Sequence, residues 1–410
     1  MNSVDIFTLA LGLERPWKVS SVEFKDSERE GKRELHIELD FDLGSRFTLS
    51  DGSRGTAYDT NRRTWQHLNF FEHRCYLHAR VPRILNNEGL PQTVSVPWSR
   101  EGSGFTLLFE AYSMLLIESE MPVSKASETV GVTAPRIWRV FDYWVSRALK
   151  SDSLSNVSKV GVDETSRRKG HNYITLFADL ETRRTVFVTE GKDSSVFKAF
   201  TSELKTREGD ADNIDLISMD MSGAFISGAF ENLPKAQIVF DKFHIVQQLN
   251  KSLDEIRKKE RKGAELLKGH KYTVLSRPKN LRKEKQEILN QLLIRYPRLG
   301  EAYTLRELFM DVYTIKDSDT AKSYLAFWCD LAIESQIKEL VEFANMIKSR
   351  CSGVVRYFEH RVTNGIMEGI NSKVQLAKRR ARGVRNIRNF INMVYFLTAK
   401  LKFDYPQYSL

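Results

Sequence analysis

VSKVGVDETSRRKGHNYITLFADLETRRTVFVTEGK, residues 157–192, reads as three strands in quick succession: 157–166, 171–181 and 183–192. The first of them carries Asp163 toward its end. A helical pattern, SSVFKAFTSELK (194–205), leads to NIDLISMDMSGAF (213–225), a fourth strand whose end carries Asp220. A second helix, SGAFISGAFENL (222–233), leads to AQIVFDKFHIV (236–246), a fifth strand running into a helix. Three strands, a helix, a strand, a helix and a strand make a mixed five-stranded α/β sheet.

Downstream of that sheet, residues from about 245 to 360 are helical and charge-rich, with dense basic runs at 257–262 and 281–286. Then comes NGIMEGINSKVQLAKRRARGVRNIR (364–388), one acid, Glu368, among seven bases. Ile366, Ile370, Val374 and Ala377 fall at helical spacing and predict a buried stripe. Glu368, Ser372, Gln375 and Arg379 lie on another face, an acid at the head of a basic ridge. On a plain surface helix the Glu is unremarkable and the bases are a solvated face. The alternative is a carboxylate metal ligand beside a surface, Lys378, Arg379, Arg380, Arg382 and Arg385, that grips nucleic-acid phosphates. Asp163 and Asp220 tip the balance, since both can emerge at a sheet edge across which a late helix can lay Glu368. Taken singly, each is an ordinary strand-end carboxylate. Three convergent carboxylates do not all stay charged without a cation. Hard oxygen ligands suit Mg²⁺, and two such ions, with Mn²⁺ as a substitute, clamp the attacking and leaving oxygens of a phosphodiester.

Upstream, the first hundred residues are β-rich. Leu35, Ile37, Leu39 and Phe41 alternate with polar residues, as do Cys75, Leu77, Ala79 and Val81. The opposite face of the second run, with Arg74 and Arg80 flanking Tyr76 and His78, is either a solvated sheet face or one that meets DNA backbone. Within PVSKASETVGVTAPRIWRVFDYWV (122–145) lies a helix-turn-helix pattern, its turn at Gly131 and its second helix presenting Arg136 and Arg139. A helical hairpin that merely packs has the same pattern. The net charge of +10 favours a polyanionic partner and hence the DNA-binding reading. Cys75, Cys329 and Cys351 form no CxxC pair, so a reducing interior is expected. No apolar run reaches membrane-spanning length, and no signal peptide is apparent.

The residues then become specific. GVDETS with Asp163, SMDMSGAF with Asp220, VFDKFHIVQQLNKSLDEIRK, and NGIMEGINSKVQLAKRRARGVRN with Glu368 together resemble the DDE transposases of the ISL-three family of bacterial insertion sequences. The upstream YDTNRRTWQHLNFFEHRCYLHARVPRI (58–84) resembles them too, so the likeness spans nearly the whole chain. The resemblance implies an RNase H-like catalytic core (151–248 and 360–410) interrupted by a helical insertion (249–359). A β-rich N-terminal module (1–104) and a helix-turn-helix (105–150) precede it. It implies cutting and joining of double-stranded DNA at terminal inverted repeats, with Asp163, Asp220 and Glu368 holding the metal. It also implies a homodimer or higher synaptic assembly acting on the nucleoid in the cytoplasm. In such proteins a DxxH pair, here Asp241 and His244, lies near the catalytic centre, where His244 plays a supporting part; a helix cap beside a half-buried His is the plainer reading. Where the family places two CxxC pairs this sequence has TLSDG (48–52) and LNNEG (85–89), so no zinc is expected. A transposase-derived DNA-binding regulator and a nuclease that hydrolyses without joining are the rival functions.

Overall fold

In the computed structural model, which describes residues 2–27, 33–168, 172–261, 265–362, 365–380 and 386–406, the chain divides into two units. The first holds Met1–Ala148 together with Lys402–Leu410, the second Leu149–Leu401.

The first unit opens with helix α1 (Ser3–Ala10), whose Asn2 cap and Asp5 form a reciprocal capping box. Strands β1 (Trp17–Asp26), β2 (Arg33–Phe41), β5 (Asp59–Phe70) and β6 (His73–Leu85) form a sheet in the order β1-β2-β6-β5, with β7 (Pro91–Thr93) paired to β6. The short strands β3 (Arg46–Thr48) and β4 (Arg54–Thr56) pair only with each other. The expected alternation is what the sheet buries. Leu35, Ile37 and Leu39 of β2 and Cys75, Leu77, Ala79 and Val81 of β6 enter one core, closed by Trp17, Trp65 and Trp98 packed edge to face. Three helices follow: α2 (Leu107–Glu118), α3 (Val123–Thr129) and α4 (Ala134–Ser151). Gly131 between the last two takes φ +71°, a left-handed value open to glycine at no steric cost. Glu110, fully buried on α2, accepts from Arg100 (2.9 Å), Ser103 (2.6 Å) and the Trp144 indole of α4 (2.8 Å), and so fastens these helices to the segment after β7.

The second unit is built on the five strands read in the sequence, at tighter bounds: β8 (Lys159–Arg168), β9 (Asn172–Asp179), β10 (Arg184–Glu190), β11 (Leu216–Met219) and β12 (Gln237–Phe240). Their order is β10-β9-β8-β11-β12. The first three run antiparallel, and β11 pairs parallel with both β8 and β12. Helices α5 (Ser195–Thr206) and α6 (Gly223–Asn232) make the crossovers. Phe197 and Phe200 of α5 seat on Phe177 of β9, with the Phe200 ring stacked 4.3 Å from it. Each such buried ring contributes about 1.5–3 kcal/mol by area, and truncating Phe200 to Ala costs about 3–5 kcal/mol once the cavity is counted.

After β12 the chain turns helical, as expected: α7 (Lys242–Glu260), α8 (Lys271–Leu275), α9 (Lys283–Arg295), α10 (Pro297–Asp311), α11 (Ser318–Glu334), α12 (Lys338–Ser349) and α13 (Cys351–His360). Trp328 is buried among them and donates to the Leu305 carbonyl at 2.7 Å. Gly353 lies inside α13. A methyl group there would meet the Phe240 ring at 2.5 Å, so the glycine lets α13 close on β12. The chain then returns to the sheet with α14 (Gly365–Arg380) and α15 (Ile387–Thr398). Among the described residues no helix is long and apolar enough to cross a membrane.

Candidate active site

Three acids stand on neighbouring parallel strands: Asp220 and Asp241 just past the ends of β11 and β12, and Asp163 midway along β8, where the sequence reading had placed it at the strand's end. The β8–β11 ladder pairs Gly161 with Ser218, so two residues on Asp163 and Asp220 come level. The β11–β12 ladder ends on Met219 paired with Phe240, so one residue on Asp220 and Asp241 come level. Adjacent strands are roughly 4.8 Å apart, which brings the carboxylates of one row into each other's field. Each acid also sets local structure. Asp220 accepts from Ser222 N–H (2.9 Å) where the chain turns into α6, and Asp241 caps α7 by accepting from Phe243 N–H (2.9 Å).

Helix α14 lies along β8. Its buried stripe is Met367, Ile370, Val374 and Ala377, where the sequence reading had Ile366 in place of Met367; Ile366 is only half-buried. A Cβ on Gly161 would come within 2.9 Å of Met367 Sδ, so the bare glycine is what lets the helix approach. One further face, at i, i+4 and i+7, follows the strand: Asn371 donates to Asp163 Oδ2 (2.6 Å), Gln375 to Thr165 (3.4 Å) and Lys378 to the Ser166 carbonyl. Glu368, exposed in the first turn of the same helix, is near enough for its charge to raise the pKa of Asp241.

Burial is the main cause that lifts Asp163 above the usual carboxylate range; the Asp220 charge adds to it, and His244 and the Asn371 hydrogen bond oppose it. Asp241 is lifted by burial too, with Asp163 and Glu368 adding, and half-buried Glu164 by burial with Asp220 and Asp163 adding against Lys192. His244 Nε2 stands between two of these acids, 3.8 Å from Asp163 Oδ1 and 3.7 Å from Asp241 Oδ2. As the side chains lie, no three His, Cys, Asp or Glu among the described residues are grouped to hold a metal ion. Two buried oxygens beside Asp163 nonetheless lack any donor, Asp241 Oδ2 and Asn371 Oδ1. Desolvated acids and orphaned oxygen acceptors, with no thiolate in the set, fit a hard divalent cation.

The basic residues expected on DNA fare unequally. Arg139 is exposed on α4, and Arg379 is exposed on α14. Arg136 is half-buried, its guanidinium 4.3 Å over the Phe105 ring, and it lines a cleft of about 560 Å³ with Thr64, Tyr76, Thr133 and Arg74. Arg74, expected on a DNA-facing surface, instead donates to the Gly131 carbonyl at 2.6 Å and ties β6 to the turn between α3 and α4. Arg80 is engaged by Asp40 at 2.7 Å across the sheet. Lys378, expected on phosphates, spends its ammonium on β8, where burial lowers its pKa. The side chain of Arg380, and Arg382 and Arg385 altogether, lie outside the described residues.

Comparison with known proteins matches residues 160–394 to a family described as "Transposase" and residues 94–145 to the helix-turn-helix domain of transposase family ISL3. Residues 50–85 match the zinc-finger of transposase IS204/IS1001/IS1096/IS1165. That match overturns the expectation of no zinc, which rested on counting cysteine pairs alone. The stretch is that of a zinc-finger module, although its one cysteine, Cys75, faces the core of β6 with burial pushing its thiol pKa to about 12. A thiol so placed does not fit the role of zinc thiolate. Over 438 aligned residues the chain is 25% identical to the transposase for insertion sequence element IS1557 of Mycobacterium tuberculosis, covering 97% of this chain and 96% of that one. It is 25% identical over 345 residues to the transposase for insertion sequence element IS1001 of Bordetella parapertussis, covering 82% and 84%.

Proposed function

The chain belongs to the DDE transposases of family ISL3, and we propose that it binds the terminal inverted repeats of an insertion sequence and cuts and joins DNA there by a Mg²⁺-dependent reaction at Asp163, Asp220 and Glu368. What supports the reading most is the level row of acids, Asp163 on β8 and Asp220 and Asp241 past the ends of β11 and β12, with the charge of Glu368 on α14 felt by Asp241. The strand order, three antiparallel strands followed by two parallel ones reached through helices, supports an RNase H-like core, with residues 249–359 as its helical insertion.

In this reading Asp163 and Asp220 bind from the sheet and Glu368 from the helix. Asn371 holds Asp163 against rotation through one oxygen, and Glu164 N–H holds the other at 2.8 Å. His244 stands where its imidazole can meet a phosphate oxygen brought to Asp163. When bound, Mg²⁺ supplies Lewis acidity to the attacking and leaving oxygens of the phosphodiester. The exposed Arg139 and the Arg136 cleft receive DNA in the first unit, while Arg379 and its neighbours receive backbone phosphates in the second. Two ends cut together call for at least two copies of the chain.

The test is end cleavage and strand transfer on the element's own paired ends with Mg²⁺. Asp163→Asn, Asp220→Asn and Glu368→Gln should each lose cleavage by a factor of at least about 10³, since an absent ligand disables the charge clamp. Binding of the inverted repeat, measured by gel shift, should be retained. Cleavage that persists in any one of them removes that residue from the site. Products that are hydrolysed but never joined would instead mark a nuclease.

A further inference from the structure

We infer that Asn371 is a further positioning residue of this site and offers a neutral oxygen to the cation that the carboxylates hold, an inference that rests on the metal-dependent reading above. Asn371 follows Glu368 by three residues, so the two stand one turn apart on α14. Its amide N–H donates to Asp163 Oδ2 at 2.6 Å, while Glu164 N–H donates to Asp163 Oδ1 at 2.8 Å. Both oxygens are therefore oriented before any cation arrives. The opposite amide orientation would set two acceptors face to face, so hydrogen-bond chemistry fixes which atom meets Asp163.

That orientation leaves Asn371 Oδ1 buried without a donor. A buried amide oxygen with nothing to accept from is unfavourable. Asp241 Oδ2, 3.7 Å from the same His244 that faces Asp163, is in the same condition. Both orphans here are acceptors, so what completes them is positive charge or a donor. Hard cations include neutral amide oxygens among their ligands beside carboxylates. A neutral ligand also completes the shell without adding charge to a cluster in which Asp163, Glu164, Asp220, Asp241 and Glu368 already feel one another.

The experiment uses the full chain without DNA, with Mg²⁺ and Mn²⁺ alone as probes, and follows the melting midpoint as metal is added; end cleavage is read in parallel. Asn371→Ala should raise the half-saturating metal concentration by about tenfold, as loss of a ligand-orienting partner does. The Mg²⁺ dependence of cleavage should move by the same factor and recover at saturating metal. Asn371→Asp keeps an oxygen but loses the N–H and faces Asp163 with like charge. It should lower the metal-free midpoint and enlarge the metal-induced rise. A purely structural Asn371 predicts otherwise: Asn371→Ala lowers the midpoint equally with and without metal, at an unchanged half-saturating concentration, and that result overturns the inference. Should the Ala variant not fold, a metal-induced rise in Asn371→Asp equal to wild type overturns it as well. Asp163→Asn separates the two levels. If it loses the metal response while Asn371→Ala keeps it unchanged, only the role of Asn371 falls. If Asp163→Asn itself keeps the wild-type response, the metal-dependent reading falls and this inference with it.

Discussion

Asp241 uses its two oxygens differently. One caps α7, and the other is buried facing His244 with no donor of its own. The sequence reading weighed a cap against a site role for this residue; the cap is made, and the second oxygen lies 3.7 Å from His244 Nε2. Asn371 escaped notice because an Asn inside a helix has no distinguishing chemistry until its partner is known, and that partner, Asp163, lies 208 residues away. Another residue-scale expectation concerns His67, half-buried on β5 beside the Thr106 hydroxyl at 2.8 Å, where burial lowers its pKa to about 4. In the unfolded chain it titrates near 6.5, so between those values the unfolded state binds the extra proton. Its contribution is therefore intact above about pH 6.5 and is lost as pH falls toward 4, by roughly 3 kcal/mol at full effect. His67→Gln should flatten the pH dependence of stability across that window, read from urea midpoints at pH 7, 6, 5 and 4. A variant with the wild-type slope would refute this.

At the scale of elements, the site depends on how closely α14 lies on β8. The periodicity of residues 366–377 announced a buried stripe, but which strand receives it was decided by Gly161, where two flexible side-chain ends, Leu180 Cδ2 and Met367 Sδ, sit 2.8 and 2.9 Å from a would-be Cβ. Gly161→Ala should destabilise by about 1–3 kcal/mol through overpacking. It should also depress cleavage far more than inverted-repeat binding, because the helix carrying Glu368 and Asn371 moves off the strand carrying Asp163. Equal losses in both assays would count against this account. The turn between α3 and α4 shows the converse. Its Gly131 was legible from the sequence, yet the Arg74 that grips its carbonyl was read as a DNA ligand. Arg74→Ala should cost about 1.5–3 kcal/mol of stability for the lost charged hydrogen bond, seen as a lower melting midpoint, whether or not DNA is present.

Across the whole molecule, the first unit is closed by the end of the chain. Tyr405 stacks edge to face 5.3 Å from Trp144, and Asp404 pairs with Arg147 at 2.6 Å. The ion pair is exposed and contributes at most about 1 kcal/mol, so a chain cut after Leu401 should lose stability mainly through the buried ring, and Tyr405→Ala should reproduce most of the loss where Asp404→Asn does not. Arg136→Ala combined with Arg139→Ala should weaken repeat binding by about 1–3 kcal/mol per lost contact and leave the metal response of the second unit untouched. Unchanged affinity for both repeat and random DNA would remove the helix-turn-helix from recognition. The sequence by itself determined the five strands, the helical run after them, and Asp220 as an acid past a strand's end, because strand and helix periodicities are local and an acid closing an apolar run is visible without partners; Asp163, read the same way, lies midway along β8 because its strand runs on to Arg168. Only the tertiary structure decided the level row of Asp163, Asp220 and Asp241, the choice of Asn371 as the clamp on Asp163, and the diversion of Arg74, Arg80 and Lys378 to partners inside the protein. Those outcomes follow from parallel register, from helix-to-strand distance and from which carbonyl or carboxylate a cation meets first, and none of these is written in local spacing.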